Sequence, residues 1–223
     1  MLHRLAIIIV NVLFTSTVWA LPDGFVYVDQ EVPGILTQLR YASSDNFIGR
    51  NVNGYISERA VLTRPAAKAL ADVQSDLRSF GLELFIFDAY RPQRAVDDFA
   101  AWAKDLKDTS TKAKYYPKVA KENLFAEGYI ADRSGHSRGS TIDLTIVSSF
   151  PPFKQLDMGT NFDFFGLESW PKFSGVLPEQ RANRLLLRTL MLKHGFRPYE
   201  MEWWHFTYEK EPFPETYFNF IVD

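Results

Sequence analysis

Two short segments hold residue types that could do metal chemistry together. The run Ser134-Gly-His-Ser-Arg-Gly-Ser-Thr-Ile-Asp143 carries His136 and Asp143, and Glu202-Trp-Trp-His205 adds a second imidazole with a carboxylate three positions before it. A structural zinc site is usually closed by four protein ligands, often thiolates, whereas a catalytic one keeps three and leaves a position for water or substrate. The chain has no Cys and four His. His3 falls in an apolar leader and His194 precedes Gly195 at an expected helix end, so His136 and His205 remain for chemistry, with Asp143 able to complete the set. An ion so held draws the pKa of a water toward neutrality, and a nearby carboxylate can take that proton and pass it to a leaving amine. Glu202 is the candidate base. On residue types alone the competing reading stays open, because a histidine beside a tryptophan is commonly packed core rather than a ligand.

Position then becomes the question. Glu202 and His205 would share a face on a helical turn and oppose each other on an extended strand. Their neighbours Trp203, Trp204, Phe206 and Tyr208 favour strand, so a bend or bulge near Trp203 is required. Leu144 to Val147 continues as a strand, which places Asp143 at the entry of a sheet and His136 on the loop before it, with Gly139 free to turn the chain back. The apolar run Leu82 to Phe87 reads as a buried strand delivering Asp88-Ala-Tyr-Arg-Pro92, and Pro92 opens a helix to about Leu106. Arg91 therefore stands at a strand-to-helix junction, where a guanidinium can be held rigidly and still face a cleft.

The other elements follow by pattern. Phe25 to Leu36 reads as a strand and its approach, and residues 43–54 as a long polar loop. A helix opens at Thr63 or Arg64 and runs to Phe80, with Gly81 as its stop. The Lys-rich stretch 107–128 is a helical excursion or a lid-like insertion, and Ser149 to Trp170 is irregular and aromatic. Arg181 to His194 reads as an amphipathic helix with Leu185, Leu186 and Leu190 inward and Arg184 and Arg188 outward. Phe196–Tyr199 and Trp203–Tyr208 form a terminal hairpin. There is no internal repeat, low-complexity linker or Gly-rich phosphate loop, and the expected architecture is one α+β domain.

Composition bounds the function. At 223 residues the chain can bury one sizeable core, and a net charge of -2 with no basic footprint argues against nucleic acid as a partner. Aromatic residues at 15% point to an aromatic core or a lined cleft. Residues 1–20 read as a secretory signal, with a short basic start at His3 and Arg4, an apolar run from Leu5 to Phe14 and a small residue at Ala20. The apolar run is short for a membrane span. The mature catalytic domain would be 21–223, periplasmic or secreted, without disulfides and without a stable membrane span; an uncleaved anchor is the alternative.

With these motifs in hand, the chain resembles the VanX-type D-alanyl-D-alanine dipeptidases, zinc peptidases related to the D,D-carboxypeptidases of bacterial walls. The likeness rests on Leu39-Arg-Tyr-Ala-Ser-Ser-Asp-Asn-Phe47, Asp88-Ala-Tyr-Arg-Pro92, Ser134-Gly-His-Ser-Arg-Gly139, Ile142-Asp-Leu-Thr145, Met158-Gly-Thr-Asn-Phe-Asp163 and Glu202-Trp-Trp-His-Phe206. It implies an α+β, hedgehog/D,D-peptidase-like fold with a small, mainly antiparallel sheet and flanking helices. It implies one Zn2+ per chain on His136, Asp143 and His205, with Glu202 as general base and Arg91 stabilising the oxyanion. It further implies that Asp163 meets the ammonium of a small dipeptide and that Ser134 and Tyr41 line the site. Thr141 departs from the family pattern, which usually has Ala there, and bears on packing more than chemistry.

The D,D stereochemistry is implied by the resemblance alone. Asp163 argues for a dipeptidase, which must require a free amino end, over a peptidoglycan carboxypeptidase or endopeptidase. The remaining alternative is a binding module that zinc merely stabilises, for which Glu202 and Arg91 would be superfluous. Export suggests wall turnover or dipeptide scavenging. His and carboxylate ligands also accept other divalent ions.

Overall fold

The computed structural model describes residues 21–223. The expected signal over 1–20 lies outside them. Phe25–Tyr27 (β1) runs directly into a single helical turn, Val28–Glu31 (α1), and Leu36–Thr37 (β2) follows. The expected strand and approach is thus two short strands split by a turn of helix. After the polar loop come Val61–Thr63 (β3), which pairs antiparallel with β1, and Arg64–Arg78 (α2), opened by Pro65, whose missing N–H costs nothing in a first turn. Leu82–Asp88 (β4) leads through Pro92 to Gln93–Lys104 (α3) and then to Lys112–Tyr115 (α4). Thr141–Ser148 (β5), Pro178–Lys193 (α5), Phe196–Tyr199 (β6) and Glu202–Tyr208 (β7) complete the order.

Five strands form the main sheet in the order β2-β4-β5-β7-β6. Only the β2–β4 pair is parallel, so the sheet is mainly antiparallel, as expected. Register assigns its faces. Leu84 pairs with Ile146, Ile86 with Leu144 and Ile142 with Phe206, and all six are fully or almost fully buried. This apolar face is covered by α2 against β4 and α5 against β6 and β7, with Leu70, Val73, Leu77, Leu187 and Met191 as the buried helix contributions. Truncating one of these, Leu70→Ala, would cost about 2–5 kcal/mol. On the opposite face Asp143 pairs with His205 and Thr141 with Thr207. β5 is buried along nearly its whole length, so this polar face is covered as well.

The inward face of α5 differs from the sequence expectation. Leu185 is 60% exposed, while Arg184 is buried together with Leu187 and Met191. The reason is local: the irregular segment beside it turns three carbonyls inward, and the Arg184 guanidinium donates to the oxygens of Met158 (2.6 Å), Glu168 (2.8 Å) and Trp170 (3.1 Å). Burial still draws its pKa down to about 10. A buried charge is tolerated when its donors are satisfied. Residues 107–128 carry a helical turn at α4 and a 3-10 turn at Lys121–Asn123 and bury Tyr115, Tyr116, Val119 and Leu124, so they form a packed wall rather than a projecting lid.

The β6–β7 hairpin is not terminal in space. Residues 209–223 return across the molecule: Phe220 stacks on Tyr90 with centroids 3.9 Å apart, and Val222 bridges to Tyr55. Among the described residues no helix is long and apolar enough to cross a membrane.

Candidate metal centre

The sheet register assembles the centre. On three adjacent strands Asp88 stands opposite Asp143, and Asp143 opposite His205. A register shift between Ile86 and Asp88 brings Asp88, rather than Phe87, into this row. His136 arrives from a short 3-10 turn, Gly135–Arg138, just before β5. Ser134 starts that turn, its Oγ accepting the His136 N–H at 3.2 Å. Gly139 ends it at φ 82, where a side chain would also run into the ring of Phe25.

Three ligand atoms converge. His136 Nε2 lies 3.2 Å from Asp143 Oδ2, His205 Nδ1 lies 3.1 Å from Asp143 Oδ1, and the two imidazole nitrogens are 3.3 Å apart. Bonds of about 2.0–2.1 Å in a tetrahedron require edges of roughly 3.3 Å, so the trio has the spacing of one face of a zinc site. Asp143 Oδ1 is buried without a hydrogen-bond donor, as a coordinating oxygen would be. His136 Nδ1–H donates to the Ala89 carbonyl at 2.6 Å, which fixes the tautomer and leaves Nε2 its lone pair. Burial lowers the His136 pKa to about 4, so this ring is neutral at pH 7. The donor set thus fits a zinc ion, which His136, Asp143 and His205 would hold.

The bend required near Trp203 is present. β6 and β7 pair regularly from Phe196–Tyr208 to Pro198–Phe206, but Tyr199 then pairs with Glu202, so Trp203, Trp204 and His205 bulge from the β6 edge. The bulge puts Glu202 on the side of His205, with Oε2 3.4 Å from Nδ1. Burial raises the Glu202 carboxyl to about 7, with Asp143 adding to the effect and His205 opposing it.

Arg91 sits at the strand-to-helix junction as expected. Its Nε donates to Asp88 Oδ2 at 2.9 Å and its Nη2 to Asp143 Oδ2 at 3.4 Å, while its guanidinium lies 5.0 Å from the ring centroids of both Tyr41 and Phe99. Asp163 is buried and is the one non-glycine at positive φ (61) among the described residues, a strained conformation of the kind that concentrates at functional sites. The Tyr41 hydroxyl reaches its two carboxylate oxygens at 3.1 and 3.0 Å. Burial, reinforced by Asp143, holds the Asp163 carboxyl well above the ordinary range. Tyr41, Arg91, Ser134, Asp143, Asp163, Glu202 and His205 all line one cavity of about 280 Å³, and His136 closes the ligand set behind it. Every residue singled out from sequence is therefore at this one place.

The family model described as D-Ala-D-Ala dipeptidase matches residues 22–223. The chain belongs to that family. It is 41% identical to the D-alanyl-D-alanine dipeptidase of Enterococcus faecalis over 90% of this chain and 98% of that one. The corresponding dipeptidase of Streptomyces coelicolor is also 41% identical, over 89% and 98%, and that of Enterococcus faecium 38%, over 89% and 98%.

Within this family member, sequence reasoning missed two supporting residues. Asp88 is fully buried and orients Arg91, and Tyr55, just past the long polar loop, donates to Asp88 Oδ1 at 2.7 Å. Asp88 opens the Asp88-Ala-Tyr-Arg-Pro92 motif, and its signal is a carboxylate closing a mostly apolar strand. Tyr55 gave no signal, since the loop's route past β4 is a tertiary fact. The Thr141 departure is answered in place: its Oγ1 bonds Thr207 Oγ1 at 2.9 Å directly across the strand pair.

Proposed function

We propose that the chain hydrolyses D-alanyl-D-alanine to two molecules of D-alanine, using one zinc ion per chain. The observation that carries this reading is a single cavity in which a buried carboxylate with a tyrosine partner, Asp163 and Tyr41, shares the walls with Arg91, Glu202 and the His136–Asp143–His205 set. The stereochemistry rests on the family.

His136, Asp143 and His205 would hold the zinc ion, which would supply Lewis acidity toward the scissile carbonyl and a water. Asp163, backed by the Tyr41 hydroxyl, holds the substrate ammonium and fixes the amino end. Glu202 takes a proton from the attacking water and delivers it to the departing amine; burial places its pKa near the working range for both transfers. Arg91 faces the negative charge that develops on the carbonyl oxygen, and its own charge is held in place by Asp88 and the two aromatic rings. Ser134 supports the ligand turn through the His136 N–H. The leader read in residues 1–20 supports a periplasmic or secreted enzyme acting on dipeptide from wall turnover or the surroundings.

The test is to assay amine release from D-Ala-D-Ala, N-acetyl-D-Ala-D-Ala and L-Ala-L-Ala with metal content measured in parallel. Cleavage of the free D,D-dipeptide alone, lost on chelation and restored by zinc, is the expected result. Cleavage of the acetylated substrate would move the enzyme to the carboxypeptidases and remove Asp163 from its role.

A further inference from the structure

A groove of about 680 Å³ lies beside the catalytic cavity, and among the described residues the two share one lining residue, Tyr129. The walls of the groove are largely apolar, with Val119, Leu167, Trp170 and Phe173 among them. Tyr129 therefore stands between a small cavity and a larger apolar space.

The end of the cavity that holds Asp163 is aromatic. Phe165, two residues after Asp163, lines the same cavity, stacks on Tyr129 with centroids 5.2 Å apart and planes 19° from parallel, and meets Phe47 at 5.1 Å. Tyr41, the hydroxyl partner of Asp163, meets Phe99 at 4.9 Å and Phe47 at 6.0 Å. Phe47, Phe99 and Phe165 are 2%, 4% and 3% exposed and belong to the core. Room cannot be made at those three without moving close-packed neighbours. Tyr129 differs from them. It is half-buried, and it borders the groove as well as the cavity. Its place in the chain does not depend on its ring, because the Tyr129 and Ile130 N–H groups both donate to the carbonyl of buried Leu124, at 2.9 and 3.1 Å. Shortening this side chain would join the cavity to the groove and leave the backbone where it is.

We infer that Tyr129 sets the size of the side chain accepted on the substrate's amino-terminal residue, with the apolar groove as the space that a larger side chain would need. The inference rests on the proposed seat of the substrate ammonium at Asp163. A residue held there by its ammonium carries its side chain against the aromatic wall that runs from Phe165 to Tyr129. An alanyl methyl stops short of the Tyr129 ring, and a leucyl side chain runs into it.

The experiment compares kcat/KM of the zinc-loaded wild type, Tyr129→Ala and Tyr129→Phe on D-Ala-D-Ala, D-Leu-D-Ala and D-Ala-D-Leu, all of which keep both free ends. In Tyr129→Ala the ratio of D-Leu-D-Ala to D-Ala-D-Ala is expected to rise about tenfold or more, the scale on which an apolar pocket discriminates by size, while the ratio for D-Ala-D-Leu moves less than about threefold. Tyr129→Phe keeps the ring and should leave both ratios as in wild type. Should the alanine variant melt below the assay temperature, Tyr129→Leu, which keeps an apolar contact with Phe165, takes its place with the same expected direction. An unchanged D-Leu-D-Ala ratio in a folded variant, or an equal rise for D-Ala-D-Leu, would overturn the proposal. Calorimetric binding of the three dipeptides in a Glu202→Gln background gives the same ratios without turnover. A wild type that fails to hydrolyse D-Ala-D-Ala would thus count against the hydrolytic reading, while the affinity ratios still decide the role of Tyr129.

Discussion

His136 and Asp143 are 1% and 2% exposed and are held by the Ala89 carbonyl, Arg91 and the central strand, whereas His205 and Glu202, from the bulged β6–β7 hairpin, keep 19% and 17% of their side-chain surface. The two halves of the centre are built for different work. The first has one arrangement, since each of its polar contacts is buried and directional, and it fixes where a cation sits. The second carries Glu202, the proposed base, which would accept a proton on one side and release it on another, and a base of that kind needs some freedom. The contrast therefore separates holding from turnover.

The largest effect should come from the looser half. Glu202→Gln removes the base while keeping shape, and kcat is expected to fall by about 10²–10⁴-fold with zinc content and melting temperature unchanged. Loss of zinc in this variant would erase the distinction between the halves. The rigid half should respond in stability. Asp88→Ala removes the shorter of the two buried carboxylate contacts of Arg91, leaving Asp143, and unfolding in urea should report a loss of about 3–5 kcal/mol; a loss below about 1 kcal/mol would mean that Asp143 and the aromatic neighbours hold Arg91 without Asp88. Thr141→Ala, beside the ligand strand, strands the Thr207 hydroxyl and should cost roughly 1 kcal/mol, with activity within a few-fold of wild type.

The smallest effect lies outside both halves. Asp98 accepts two bonds from Arg50 and one from the Asn53 N–H, and these hold its carboxyl below the ordinary value. A depressed carboxylate pKa contributes stability above the unfolded value and loses it as the pH falls through the folded one. Asp98→Asn should therefore be less stable than wild type at pH 7, with the gap closing as the pH drops below about 4, and its pH–rate profile should match wild type. A gap that widened in acid would show the sign to be wrong.

Much of the centre was legible because its chemistry is rare in type. With no Cys and few His, the ligands could be narrowed by elimination, and an aromatic strand carrying Glu202 and His205 together demanded the bulge that β7 shows. Arg91 was legible from Pro92, which fixes the end of the strand context and the start of α3. What was not legible depends on partners distant in sequence. Arg184 looks like a solvent-facing charge until the carbonyls of residues 158, 168 and 170 turn toward it. Residues 209–223 have no periodicity to announce that they pack, and Tyr55 has no local reason to meet Asp88.

That returning segment bears on the order in which the protein can mature. The Phe218 N–H bonds the carbonyl of Ser137, next to the ligand His136, and the Phe218 carbonyl accepts the Gln93 N–H, two residues beyond Arg91. One backbone unit made after both of its partners thus clasps the turn and the helix start that flank the centre. During translation these partners wait, unclasped, until residue 218 has cleared the ribosome. The contact also spans a long sequence separation, which makes its closure a late step in folding.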